Sequence, residues 1–143
     1  MGRVFAAAPL LLLPVAAYNV LVTVLGGFGS TAVSPGLLAP LFETRTVSGG
    51  AWPVSSSDLL LAASLVVMFV ELIKSTHDRR VALINHALSI ALFVVCLAEM
   101  LLFTGFATST FFLITLMVLL DVLAGFILGV ATRRPEREVR SRR

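Results

Sequence analysis

Apolar residues run along the chain in four long blocks, Val4 to Phe28, Leu59 to Ile73, Val81 to Phe103 and Thr110 to Ala131. None alternates polar with apolar positions, so the strands of a membrane barrel are excluded. About 20 helical residues cross the hydrocarbon of a bilayer, and the blocks reach that length once their flanks are counted. They must be helical there, because lipid offers no partner for free backbone N–H and C=O groups. The pattern predicts an all-α membrane protein: one domain over 1–132, an antiparallel bundle of four transmembrane helices at about 4–28, 56–74, 80–103 and 109–132. An outer loop is expected at 29–55 and a basic tail at 133–143.

The boundaries carry their own signals. Gly26-Gly27-Phe28-Gly29 stops the first helix, which Pro14 should kink by removing a mid-helix hydrogen bond. Arg3 ahead of an apolar run resembles a leader peptide, but the run is too long and lacks a clean small-residue cleavage site, so the segment reads as an anchor. In the outer loop, Pro35 to Phe42 is too short to span and too apolar to float free. It reads as an interfacial or re-entrant piece, with Trp52 marking the return at headgroup level. Ser55 and Asp58 have the form of a capping box, which starts the second helix at about Ser56. The second and third helices fold back at Ser75-Thr76-His77-Asp78-Arg79-Arg80, where Asp78 is the expected N-cap. Thr104-Gly105-Phe106-Ala107 makes a tight outer turn, and Thr108 or Ser109 caps the fourth helix.

Composition agrees with the pattern. The 143 residues are 58% hydrophobic and 13% charged, too few charges to cover a soluble surface. The net charge of +3 does not indicate nucleic acid, because of where the charges fall. Arg3, Lys74, Arg79, Arg80, Arg133, Arg134, Arg137, Arg140, Arg142 and Arg143 lie on one side of a four-span protein, and Arg45 alone on the other. That asymmetry places both termini and the 75–80 turn in the cytoplasm. Arg79, Arg80, Arg133, Arg134 and Arg137 then suit anionic lipid headgroups. Cys96, the single cysteine, lies inside an apolar helix and reads as a small buried hydrophobe.

Ionisable groups within a bilayer are costly unless paired or hydrated, so Glu71, His86, Glu99 and Asp121 each need a reason. Counted outward from the 75–80 turn, Glu71 and His86 reach the same depth. Lys74, three residues beyond Glu71, can pair with it along one helix face, and His86 is a further candidate partner. At about 1.5 Å per residue, Asp121 lies roughly 10 Å inward of Glu99, and Glu71 with His86 roughly 9 Å beyond. A ladder with such steps needs water to carry a proton. Structural duties are the simpler expectation: an ion pair for Glu71, a hairpin tie for His86. Glu99 can be satisfied by Tyr18, Asn19, Thr104 or Thr108, and Asn19 bonds to another helix or to a carbonyl freed by the kink. Asp121 has no cation in its own helix. Ala124, Gly125 and Gly129 beside it let another helix approach, so Asp121 should face protein as a neutral carboxyl donating across that interface.

No nucleophile elbow, phosphate loop or metal-ligand spacing occurs, so catalytic, cofactor and metal sites are not expected. The runs Glu71-Leu72-Ile73-Lys74-Ser75-Thr76, Ile84-Asn85-His86-Ala87-Leu88-Ser89, Thr108-Ser109-Thr110-Phe111-Phe112-Leu113 and Asp121-Val122-Leu123-Ala124-Gly125-Phe126, with Glu99, resemble a group of short four-helix bacterial inner-membrane proteins without assigned activity. The resemblance implies a bacterial inner-membrane location and no mechanism. The expected role is a non-enzymatic accessory or scaffold subunit that binds partner helices or lipid, or forms a homo-oligomer. A small oligomeric proton-linked transporter or channel is the alternative. A membrane enzyme on a lipid or quinone, with His86 and Glu71 as acid and base, comes third.

Overall fold

The computed structural model describes residues 8–74 and 79–131, and only the backbone of 79–83, 128, 129 and 131. The predicted Asp78 cap, His77 and the tail arginines Arg133, Arg134 and Arg137 lie outside the described residues, as do the side chains of Arg79 and Arg80 and the surroundings of Gly129. The elements are α1 (Leu12–Val24), α2 (Val33–Leu38), β1 (Pro40–Arg45), β2 (Ala51–Ser55), α3 (Ser56–Lys74), α4 (Arg79–Leu102), a 3-10 turn (Thr104–Phe106) and α5 (Ser109–Ala131). Among the described residues three helices, α3, α4 and α5, are long and apolar enough to cross a membrane.

Three faces of these helices are buried, and they are unusually polar. Ser57, Ser64 and Glu71 form the buried stripe of α3, seven residues apart. Asn85, Ser89, Leu92 and Cys96 form that of α4, and Phe111, Ile114, Thr115, Val118 and Asp121 that of α5. Leu65, Val66 and Phe69 of α3, Val94 and Leu101 of α4, and Leu120 and Phe126 of α5 point outward. A soluble bundle has the opposite polarity. Small and polar groups inside with large apolar groups outside fit a lipid solvent, where packing and internal hydrogen bonds hold helices together.

α5 is the centre of the three long helices. It packs on both α3 and α4, which approach each other much less closely among the described residues. A small residue helps set this arrangement: Gly125 on α5 leaves the space that the His86 side chain of α4 takes.

The first apolar block departs from expectation. Its described helix is the 13-residue α1, and Pro14 stands in the first turn rather than at a mid-helix kink. Pro9 and Pro14 together prevent a regular start. Leu12 N–H donates to Pro9 C=O at 3.1 Å and Leu13 N–H to Leu10 C=O at 2.9 Å, so the lead-in is a tight turn. At the other end the glycines act as predicted: Gly26 and Gly27 have φ of 121° and 90°, and Gly27 N–H reaches back to Val22 C=O at 2.8 Å.

The connection between α1 and α3 has more regular structure than predicted. α2 buries Val33 and Leu37, and β1 and β2 pair antiparallel with Phe42 opposite Val54 and Thr44 opposite Trp52. Proline disfavours strands, but Pro40 and Pro53 are tolerated here because a two-stranded ribbon has two free edges. The capping box is formed as its spacing predicts: Ser55 N–H donates to Asp58 Oδ2 at 2.9 Å, and Asp58 N–H to Ser55 Oγ at 3.3 Å. Thr108 is the cap of α5, its hydroxyl accepting Phe111 N–H at 3.2 Å.

An aromatic cluster closes the end of the helices where the 3-10 turn joins α4 to α5. The Tyr18 ring lies 4.7 Å from Phe111 and 5.7 Å from Phe106, and Phe28 stacks 5.4 Å from Phe106. The Tyr18 hydroxyl donates to Gly105 C=O at 3.2 Å and also bonds to Thr108. Gly105 N–H donates to Phe28 C=O at 2.8 Å, and a Cβ at Gly105 would lie 2.9 Å from that oxygen. Glycine is required by this close approach of two backbones.

Candidate functional site

At the opposite end, around Lys74, four segments bring polar groups together. Glu71, fully buried on α3, is the hub. Its Oε2 accepts Leu10 N–H at 2.7 Å, its Oε1 accepts the Asn85 side-chain amide, and Lys74 Nζ lies 3.7 Å from Oε1. Lys74 also donates to Ala8 C=O at 2.6 Å. The proline-broken lead-in explains this geometry. In a continuous helix Ala8 C=O would accept Leu12 N–H, but that proton goes to Pro9 instead. The Glu71–Lys74 pair therefore supplies both partners that the unwound backbone lacks: an acceptor for Leu10 and a donor for Ala8.

This corrects the expected partnership of Glu71 with His86. Asn85 faces α3 and holds the acid, whereas His86, one position on, turns about 100° toward α5. A Cβ at Gly125 would lie 2.5 Å from His86 Nδ1, so the absence of a side chain at Gly125 makes room for the imidazole. Ala124, its neighbour, is half-buried. The helix that Gly125 admits is α4.

Asp121 is 5% exposed and faces the interior, one turn from Gly125 on α5. The Ser89 hydroxyl donates to its Oδ2 at 2.6 Å. The carboxyl thus meets α4 across the interface that Gly125 opens, with serine as its partner. Ser89 lies one turn from Asn85, the partner of Glu71, on α4. Glu71 and Asp121 are thus two buried acids in one neighbourhood, joined through Asn85 and Ser89 on a shared face of α4.

Glu99 stands apart. It is half-buried near the 3-10 turn, where Asn19 Nδ2 approaches its Oε2 at 3.4 Å while also donating to Val15 C=O at 3.1 Å. Tyr18, a predicted alternative partner, is engaged with the 104–108 turn instead. Between Ser89 and Glu99 the buried face of α4 offers Leu92 and Cys96, and the facing stretch of α5 offers Val118, Ile114 and Phe111. Thr115 donates to Phe111 C=O in its own helix at 2.9 Å. This apolar layer lies between Glu99 and the group of Glu71 and Asp121.

Sequence reasoning passed over Ser64 and the backbone groups of Ala8 and Leu10. The heptad Ser57, Ser64, Glu71 was the signal for the first, and the Pro9–Pro14 pair for the second. Among the described residues no group of three His, Cys, Asp or Glu side chains is placed to hold a metal ion. No known protein family, characterised protein or solved structure matches the chain.

Proposed function

We propose that the chain is a small non-enzymatic accessory or scaffold subunit of a bacterial inner membrane. It crosses as a four-helix bundle with both termini cytoplasmic and packs against partner transmembrane helices or lipid, in a homo-oligomer or a larger complex. The observation that carries this reading is how the buried acids are used: Glu71 joins α3 to α4 and to the lead-in of α1, and Asp121 joins α5 to α4. Both hold the protein's own helices in place, a duty that needs no substrate. Arg79, Arg80, Arg133, Arg134 and Arg137 would meet anionic headgroups at the cytoplasmic surface.

Purification in mild detergent tests this. A partner recovered at fixed stoichiometry, or a self-assembly of defined size, is the expected result. A lone monomer that moves protons or a solute after reconstitution, and loses that activity in Asp121→Asn, contradicts it and supports the second reading, a proton-linked transporter or channel. That reading draws on the burial of Asp121 and Glu71 near one another. An enzyme using Glu71 as acid or base has less support, since both carboxyl oxygens are engaged by Leu10 and Asn85.

A further inference from the structure

The ribbon of β1 and β2 has two free edges, and they are not alike. Thr46 N–H donates to Gly50 C=O at 2.9 Å, and bonded pairs alternate with open ones along an antiparallel ladder. Arg45 with Ala51 is therefore open, its backbone groups turned outward; Thr44 with Trp52 is bonded, and Glu43 with Pro53 is open again. Pro53 agrees independently, because a residue without N–H has none to give its partner. The outward groups of β2 are thus those of Ala51 and Pro53, and the outward groups of β1 those of Glu43 and Arg45. Proline removes a donor from the β2 edge, and that strand ends in the buried Val54 and Ser55. β1 keeps every outward donor and acceptor of Glu43 and Arg45, and all six of its residues are exposed. Unpaired groups in such a row are a template for another strand.

Charge says which strand. Glu43 and Arg45 project from one face of β1, and neither has an ion-pair partner among the described residues. With a second copy of β1 set antiparallel about a two-fold axis at Thr44, the edge is self-complementary. Glu43 exchanges both backbone bonds with Arg45 of the second copy, Arg45 does the same with the second copy's Glu43, and the opposed side chains carry unlike charge. A register shifted by two residues sets Glu43 against Glu43 or Arg45 against Arg45, so charge selects the one centred on Thr44. The two-fold axis of such a pair is perpendicular to the sheet. Phe42, Thr44 and Trp52 share the other face, and with the exposed rings of Phe42 and Trp52 on lipid headgroups that axis lies along the membrane normal. Two copies inserted the same way round are related by an axis of this kind. We propose that the outer edge of β1 is a docking site for β1 of a second copy, joining two ribbons into one sheet at the membrane surface. This deepens the self-assembly proposed above and rests on the membrane reading, since helices that hold both ribbons at one height raise their effective concentration and make a short contact sufficient.

The test is disulfide cross-linking of the full chain in liposomes, with Cys96→Ala removing the single native thiol. Thr44 meets Thr44 of the second copy at an open pair, where Cα atoms lie about 4.5 Å apart and a disulfide can bridge them. Thr44→Cys should therefore form a linked dimer about tenfold faster than Val47→Cys, whose thiols the two-fold axis sets too far apart to join. Glu43→Arg or Arg45→Glu alone opposes like charges and should slow the link at position 44 roughly threefold, and the two reversals together restore unlike pairs and should recover it. Linking at position 44 no faster than at 47, or a double reversal as slow as the single ones, overturns the paired edge. Light scattering of the detergent-solubilised chain separates this from the broader reading. A defined oligomer without the link at 44 removes the edge and leaves self-assembly through other surfaces, whereas a monomer without it removes homo-oligomeric assembly as well.

Discussion

Replacing Glu71 with glutamine changes one atom and should still damage the protein. The carboxylate accepts on both oxygens, from Leu10 N–H at 2.7 Å and from the Asn85 amide. Glutamine presents one oxygen and one NH₂, so whichever way it turns, a buried donor faces a donor. An unsatisfied buried donor costs about 1–3 kcal/mol. The half-exposed Lys74 loses its pair as well, a smaller effect because solvent screens it. The unfolding equilibrium in mixed micelles should therefore shift against Glu71→Gln by roughly 5- to 150-fold. The diagnostic variant is the swap, Glu71→Gln with Asn85→Asp: the amide then donates to the new carboxylate while its oxygen accepts Leu10 N–H, restoring much of the loss. The reasoning fails if Glu71→Gln matches wild type, or if the swap is no more stable than the two single changes combined.

Two further outcomes follow from the packing and from the hairpin. Gly125→Leu should separate α4 from α5 by forcing carbon into the space of His86 Nδ1, costing about 1–3 kcal/mol in the same unfolding assay, whereas Asp121→Asn should fold normally. Trp52 is the only tryptophan and is exposed on the same ribbon face as Phe42, opposite the side of Glu43 and Arg45. Its fluorescence should be quenched by lipids brominated near the headgroups and little by aqueous iodide; the reverse order would put the hairpin in water.

Capping boxes, terminal glycines and apolar blocks could be read from the sequence because each is a local device. Ser55 with Asp58, Gly26 with Gly27, and the ends of α3 to α5 lie where their spacing places them to within a residue or two. The ribbon of β1 and β2 was hidden by its prolines, which usually disqualify a strand. Partner choice inside the bundle was the least legible part. Depth along the helices pointed to His86 as a partner for Glu71, but helix rotation decides which of two adjacent residues meets the acid, and Asn85 does. Rotation was nonetheless encoded in the small and polar residues, Ser57, Ser64 and Glu71 on α3 and Asn85, Ser89 and Cys96 on α4, which mark the inward faces. Hydrophobic periodicity, the usual guide, points outward in such a chain.

The inward placement of these faces can be measured by a nitroxide scan of residues 111–123 in liposomes, in a Cys96→Ala background, reading collision with lipid-soluble oxygen at each position. Minima at Phe111, Ile114, Val118 and Asp121 and maxima at Leu113, Leu116, Leu120 and Leu123 are the predicted profile. A maximum at position 121, or a profile without helical period, would contradict it.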